Sequence, residues 1–433
     1  MENRKFKVLE KQYVVPFILI TSCFAFWGFA NDVTNPMVKA FSKIFLMTTV
    51  QGSLVQVAFY GGYFAMAFPA AIFIRRFTYK AGILVGLGLY ATGALLFIPA
   101  SAIGVYAPFL IAYFILTCGL SFLETSANPY ILSMGAEESS TQRLNLAQSF
   151  NPIGSITGML IAKTFIQARL NSADTAARQL MSAQEFEAVK MSDLAVVKGP
   201  YVAIGIVILI MFVLIAIVTM PKNADRNHTI NLLPTLKRIF SLPRYREGVI
   251  AQFFYVGAQI MCWTFIIHYG TRYFMERGMG EQEAEVLSQQ YNTIAMALFI
   301  ASRFISTFLM RYVRPGRLLM FFAIGGFVLV CGVIAFQNIV GLYCLVGVSA
   351  FMSLMFPTIY GIALRGLGED AKFGAAGLIM AILGGSVMPP LQGWIIGFGT
   401  VLHMPAENFS FVVPLVCFVV VAIYGYRTRT FAH

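Results

Sequence analysis

Two acidic residues, Asp32 and Glu124, stand where a chain rarely places a charge. "FANDVTNPMV" carries the first and "SFLETSANPY" the second, each at or inside a long apolar run and several residues from the nearest loop charge. An ionised carboxylate in hydrocarbon costs about 2.5 to 3.5 kcal/mol on insertion scales, so its presence calls for a partner, a cavity or a proton. Amides accompany both acids at helical spacing. Asn31 and Asn35 are i,i+4, Asp32 and Asn35 are i,i+3, and Glu124 and Asn128 are i,i+4. The pattern continues in "RLNLAQSFNP", where Asn145, Gln148 and Asn151 fall at i,i+3 steps, and in "AQFFYVGAQIMCW", with Gln252, Tyr255, Gln259 and Trp263. Such stripes are expected to face a wet cavity rather than lipid.

Carboxylates and amides suit a sugar, because they accept from and donate to adjacent hydroxyls while an aromatic face covers the apolar side of the ring. Trp27, Trp263, Tyr255 and Tyr360 are the candidate faces. Each of these residues also has a plainer reading: an aromatic in a span packs or anchors, an amide beside a proline satisfies freed backbone, and a buried acid stays permanently protonated or hydrogen-bonded. A carboxylate whose burial alternates has a further use. Burial disfavours its charged form and opening to water restores it, so it loads a proton on one side and releases it on the other.

The elements that position these residues follow from composition. The chain has 433 residues, 58% of them apolar and 12% charged, and a mean hydropathy of +0.75, which describes a membrane protein. A span needs about 20 mostly apolar residues. Twelve such windows are predicted, over 14–38, 51–74, 81–99, 105–133, 144–167, 199–220, 248–275, 286–310, 317–335, 339–364, 372–398 and 408–426. The first follows Arg4, Lys5, Lys7 and Lys11 but is too long for a signal peptide and lacks a small-residue cleavage site, so it is read as retained.

A net charge of +12 would suggest nucleic acid in a soluble protein. Here the basic residues lie in alternate short loops, and the positive-inside rule explains them without a nucleic-acid partner. Both termini are then cytoplasmic, and the mixed-charge stretch from Gln167 to Lys198 is a long external loop. All six cysteines fall inside predicted spans with no CxxC pair, so neither a disulfide framework nor a metal site is implied. The four histidines are scattered, with no P-loop or HExxH pattern, which leaves a polytopic membrane enzyme as a remote alternative and no cofactor beyond a proton as coupling ion.

Between windows six and seven, "MPKNADRNHTINLLPTLKRIFSLPRYREG" is basic, polar and proline-bearing. It divides the chain into an N-terminal six-helix bundle over 1–221, a cytoplasmic linker over 222–247 and a C-terminal six-helix bundle over 248–433. Loop chemistry repeats across the division. "RRFTYKAG", with Arg75 and Arg76, matches "RYVRPGR", with Arg311 and Arg314, and these basic loops are expected to gate the cytoplasmic side. Asn128-Pro129 precedes Glu137 and Glu138 as Phe356-Pro357 precedes Glu369 and Asp370. Duplicated six-helix halves with a substrate site between them near mid-membrane are a known transporter plan. The predicted fold is therefore an all-α membrane protein of twelve transmembrane helices in two six-helix bundles.

The runs "WGFAND", "LETSANPY", "RLNLAQSFNPIG", "AQFFYVGAQ" and "FMSLMFPTIYGI" together resemble the L-fucose/proton symporter family of the major facilitator superfamily, over nearly the whole chain. "LETSANP" and "RLNLAQSFN" are the most specific. The resemblance implies that Glu124 links sugar and proton and that Gln148 and Asn151 are sugar-binding amides. It also shows a departure: the family's span-one acid lies at the position of Asn35, with an amide at the position of Asp32. The two groups are exchanged over i,i+3 on one face, and Asp32 is expected to take over the proton role. Phe356 stands where the family pattern has a tyrosine. Some members carry glucose, galactose or other sugars, so the family leaves the sugar open.

These readings lead to one expectation: a proton-coupled importer of L-fucose or a related hexose, monomeric, in the lipid bilayer of a bacterial cytoplasmic membrane. A uniporter and a sodium-coupled sugar transporter remain alternatives.

Overall fold

In a computed structural model of the chain, residues 8–34, 37–47, 51, 54–173, 175–221 and 232–430 are described. Among them, eleven helices are long and apolar enough to cross a membrane. Span one is Val14–Thr34, span two Leu54–Arg76, span three Tyr79–Leu95 extended by Phe97–Ile103, and span four Tyr106–Leu132. Span six is Ala183–Ile217, seven Pro243–Met275, eight Glu281–Leu309 and nine Pro315–Ala335. Span ten is Ile339–Met352 with Met355–Leu364, eleven is Ala371–Met380 with Gly384–Ile396, and twelve is Val412–Thr428.

Span five is the remaining apolar window, and it is not one helix. It runs as Ser140–Gln148, then Asn151–Ile161, then a π-helical turn over Ala162–Ile166. The reason lies in Pro152. A proline at the start of the second piece has no N–H to donate four residues back, so the carbonyl of Gln148 is left without its helical donor. Pro357 does the same to the carbonyl of Ser353, where span ten breaks.

The described helices cluster into two compact units, one of residues 11–130 and 150–230, the other of residues 1–10, 131–149 and 231–433. In the first, span one packs along Asn151–Ile161 at backbone distance. A Cβ added to Gly154 would lie 1.7 Å from the carbonyl oxygen of Ala25, and one on Gly28 would lie 2.0 Å from that of Asn151. Glycine at both positions is a steric requirement. In the second unit, a continuous apolar core runs through spans seven to ten and twelve, with Tyr255, Phe299, Leu345 and Phe418 fully enclosed. Arg143 is buried there and donates to the carbonyls of Ile131 at 2.8 Å and Leu132 at 2.7 Å, capping the C-terminal end of span four.

The stretch 167–198, expected as a loop, is largely helical. Span six begins at Ala183, well before its apolar part, because Ser182 and Glu185 form a capping box. At 35 residues the helix is about 52 Å long, more than the ~30 Å of a bilayer core, so its first turns stand outside the hydrocarbon. Arg178 and Asp193 form a buried ion pair at 2.5 Å that ties the preceding segment to these turns. The acid pairs that echo each other in the sequence both sit in a single 3-10 turn, Glu137–Ser139 and Gly368–Asp370.

Candidate functional site

Glu124 lies in span four with its side chain buried, the residue being 5% exposed. Its Oε1 accepts from the Tyr63 hydroxyl at 3.0 Å, and the Tyr63 oxygen in turn accepts from Trp27 Nε1 at 2.9 Å. Tyr63 belongs to span two, from which sequence reasoning drew only the gating pair Arg75 and Arg76 at its end. The signal was available in "VAFYGGYFAM", where Tyr60 and Tyr63 share a helix face at i,i+3. Tyr60 lies within electrostatic reach of Asp32. Asn31 and Asp32 are both half-buried at the end of span one, while Asn35 lies outside the described residues. Trp27 is buried, and its ring stacks on Phe24 with centroids 4.8 Å apart.

Two of the predicted amides in this unit make backbone bonds. Asn128, fully buried, donates to the carbonyl of Glu124 at 3.1 Å. Asn151, at the head of the second piece of span five, donates to the carbonyl of Phe24 in span one at 3.2 Å. Each amide thus makes one bond to a backbone carbonyl, but neither serves the carbonyl that its neighbouring proline frees, that of Thr125 for Pro129 and that of Gln148 for Pro152. The Asn151 oxygen and the remaining proton of its amide are further hydrogen-bonding capacity.

The other unit holds Gln148, Tyr255, Gln259, Trp263 and Tyr360. Gln148 is buried at the end of the first piece of span five, and its carbonyl accepts from Arg303 Nη1 at 3.0 Å. Arg303 Nε donates to the carbonyl of Ser353. One guanidinium thus serves the two carbonyls that Pro152 and Pro357 deprive of helical donors. Arg303 is 3% exposed, lies over the ring of Phe299 at 4.5 Å, and among the described residues pairs with no carboxylate. Sequence reasoning missed it. A lone arginine deep in span eight was the signal, by the same logic that picked out the acids.

Around this cation, Tyr255 donates to the carbonyl of Met352 at 3.0 Å and Trp263 Nε1 to Ser349 Oγ at 3.1 Å. Asn145 donates to Thr358 Oγ1 at 3.2 Å. The rings of Tyr255, Phe356 and Tyr360 follow one another at 6.4 and 6.2 Å, the latter pair stacked, and Gln259 is half-buried. Gln252 is fully buried and neither atom of its amide has a hydrogen-bond partner, an arrangement that calls for a polar guest or water.

Of the residues expected to gate the cytoplasmic side, Arg75 and Arg76 end span two, and Arg311 and Arg314 lie between spans eight and nine. Arg75 is buried, Arg76 lies 5.9 Å over Phe77, Arg311 lies 5.9 Å over Phe308, and Arg314 Nη1 donates to the carbonyl of Thr430 at 3.3 Å. No group of three His, Cys, Asp or Glu side chains able to hold a metal occurs among the described residues. A cavity of about 860 Å³ in the first unit, beside Phe29, Gly154 and Gly199, is lined mainly by apolar groups and includes none of these site residues.

Comparison with known proteins adds to this geometry. The family model described as the Major Facilitator Superfamily matches residues 18–389. The chain is 54% identical over 427 residues to the L-fucose-proton symporter of Haemophilus influenzae, covering 97% of this chain and 98% of the relative. It is 29% identical to a glucose/galactose transporter of Brucella abortus, covering 96% of this chain and 94% of the relative. A crystal structure of the Escherichia coli fucose:proton symporter superposes with a TM-score of 0.86 at 34% identity, covering 97% of this chain and all of that one, 100%.

Proposed function

The chain belongs to the Major Facilitator Superfamily, and from that premise we propose that it imports L-fucose or a related hexose together with a proton by alternating access. The observation that carries the reading is the buried carboxylate of Glu124, held by Tyr63 within an apolar helix and accompanied by the half-buried Asp32. Relatives named as proton symporters of L-fucose support the substrate and the coupling ion. The bodies that move are taken as the bundles over 1–221 and 248–433, joined by 222–247, with both termini and the basic loops at Arg75–Arg76 and Arg311–Arg314 on the cytoplasmic side of a bacterial inner membrane.

Each step rests on a property of a side chain. A site open to the outside lets water and proton reach Glu124 and Asp32. Sugar hydroxyls are offered the amides of Asn31, Asn35, Gln148, Asn151 and Gln259, with the rings of Trp27, Trp263, Tyr255 and Tyr360 against the apolar face of the sugar. Asn128 supports Glu124 through its backbone. Protonation removes the charge that opposes closing the site away from water, and only the loaded form changes sides readily. One proton crossing 100 mV yields about 2.3 kcal/mol. One pH unit adds about 1.4 kcal/mol, and together they support roughly several-hundred-fold accumulation of a neutral sugar.

The test is uptake into proteoliposomes of the full chain with L-fucose, D-galactose, D-glucose and D-xylose, with and without an imposed pH gradient. Accumulation of one hexose above equilibrium, inside-alkaline and abolished by a protonophore, is expected. Accumulation that follows a sodium gradient, or equilibration indifferent to pH, would replace the proton by sodium or by simple facilitation.

A further inference from the structure

The hydrogen-bond chain through Tyr63 has a direction, and the direction follows from donor counting. The indole of Trp27 has one N–H and no acceptor, so at 2.9 Å it can only donate to the Tyr63 oxygen. The single hydroxyl proton of Tyr63 is then the one shared with Glu124 Oε1 at 3.0 Å. Oε1 must accept. If a proton sat on Oε1, two hydrogens would meet between the oxygens, unless the tyrosine turned away and left one of them unserved in a buried site. The other carboxylate oxygen, Oε2, is under no such constraint.

We propose that Tyr63 is a positioning residue that assigns the transported proton to Oε2 of Glu124, holding Oε1 as an acceptor in both protonation states. The proposal rests on the reading of Glu124 as a proton carrier. Loading forms an O–H bond at Oε2 at the expense of one in hydronium on the open side, and release returns that proton to water on the other. Throughout, the Trp27–Tyr63–Oε1 bonds persist, so the carboxyl keeps one orientation and Oε2 one direction. Tyr60 acts on Tyr63 from the same helix, and Asp32 acts on Tyr60 from span one.

The experiment compares wild type, Tyr63→Phe, Trp27→Phe and Glu124→Gln, each as the full chain in proteoliposomes, with folding checked by gel filtration and circular dichroism. The readouts are the pH profile of L-fucose exchange and the carboxylic-acid carbonyl band in infrared difference spectra, assigned by its disappearance in Glu124→Gln. Tyr63→Phe removes a donor to the charged form, so the exchange profile is expected to move about one unit toward alkaline pH, a tenfold change in proton affinity, and the band to shift. Trp27→Phe frees the tyrosine to turn and is expected to split the band between the two oxygens. It keeps the test alive if Tyr63→Phe does not fold. A profile and band in both variants that superimpose on wild type overturn the proposal while leaving Glu124 as carrier. Gradient-driven accumulation that survives in Glu124→Gln overturns the carrier reading and the proposal with it.

Discussion

Glu124 and Asp32 are both acids in apolar helices, yet their surroundings differ. Glu124 is enclosed and receives a directed hydroxyl, whereas Asp32 is half-buried with Tyr60 nearby. Glu124→Gln is expected to abolish gradient-driven accumulation, at least tenfold, while sugar exchange across a membrane without a gradient persists. Asp32→Asn, compared in the same uptake assay, is expected to weaken accumulation and flatten its pH dependence; full accumulation would remove Asp32 from the coupling. Asn151→Ala removes both an amide offered to sugar and the bond to the Phe24 carbonyl. Loss of about 1 kcal/mol of stability in detergent is expected from the second role. A loss of ten- to hundredfold in apparent affinity, read by counterflow, is expected from the first.

Prolines and glycines govern the elements. Pro152 and Pro357 break spans five and ten where polar residues gather, and Arg303 collects the two carbonyls they release. Arg303→Met is expected to cost about 1 to 3 kcal/mol for each carbonyl left unserved. The cost should shrink when Pro152→Ala restores the helical donor to Gln148, and thermal unfolding of the single and double variants reads that coupling. An unchanged cost would mean the cation acts elsewhere. Gly154 works by contact. Gly154→Val places carbon against the Ala25 carbonyl, so span one must leave Asn151–Ile161, and little folded monomer is expected in gel filtration.

At the scale of the molecule, charges sit where they fasten segments together. Arg178 and Asp193 are 0% and 2% exposed, and Asp193 also accepts from the backbone N–H of Asn171 at 2.8 Å. Arg178→Ala leaves a buried carboxylate unpaired and is expected to cost about 3 to 5 kcal/mol. Asp193→Asn, which keeps one acceptor, should cost less; melting temperature separates the two. The basic loops offer a second test. Arg76→Glu or Arg311→Glu is expected to slow transport severalfold with sugar affinity little changed, and wild-type rates in both would remove the gating role proposed for them.

What the sequence determined by itself is the part governed by solvent. Hydrocarbon forbids unpaired backbone and tolerates few charges, so twenty-residue apolar windows and the acids, amides and prolines within them stand out without any coordinates. Hence the membrane class, most of the spans and the acid at Glu124 were legible, whereas spans five and ten were expected as continuous windows and their breaks were not. Only the tertiary structure decided which polar groups meet. Tyr63 is an ordinary aromatic in an apolar helix until its hydroxyl is brought to 3.0 Å from Glu124 and 2.9 Å from Trp27, and Arg303 is one cation among many until two orphaned carbonyls reach it. Capping likewise turned 167–198 from an expected loop into mostly helix, since a Ser-Glu box four residues long outweighs the mixed charges around it. Partner choice depends on which helix faces meet across long sequence separations, and periodicity along one helix carries no record of that.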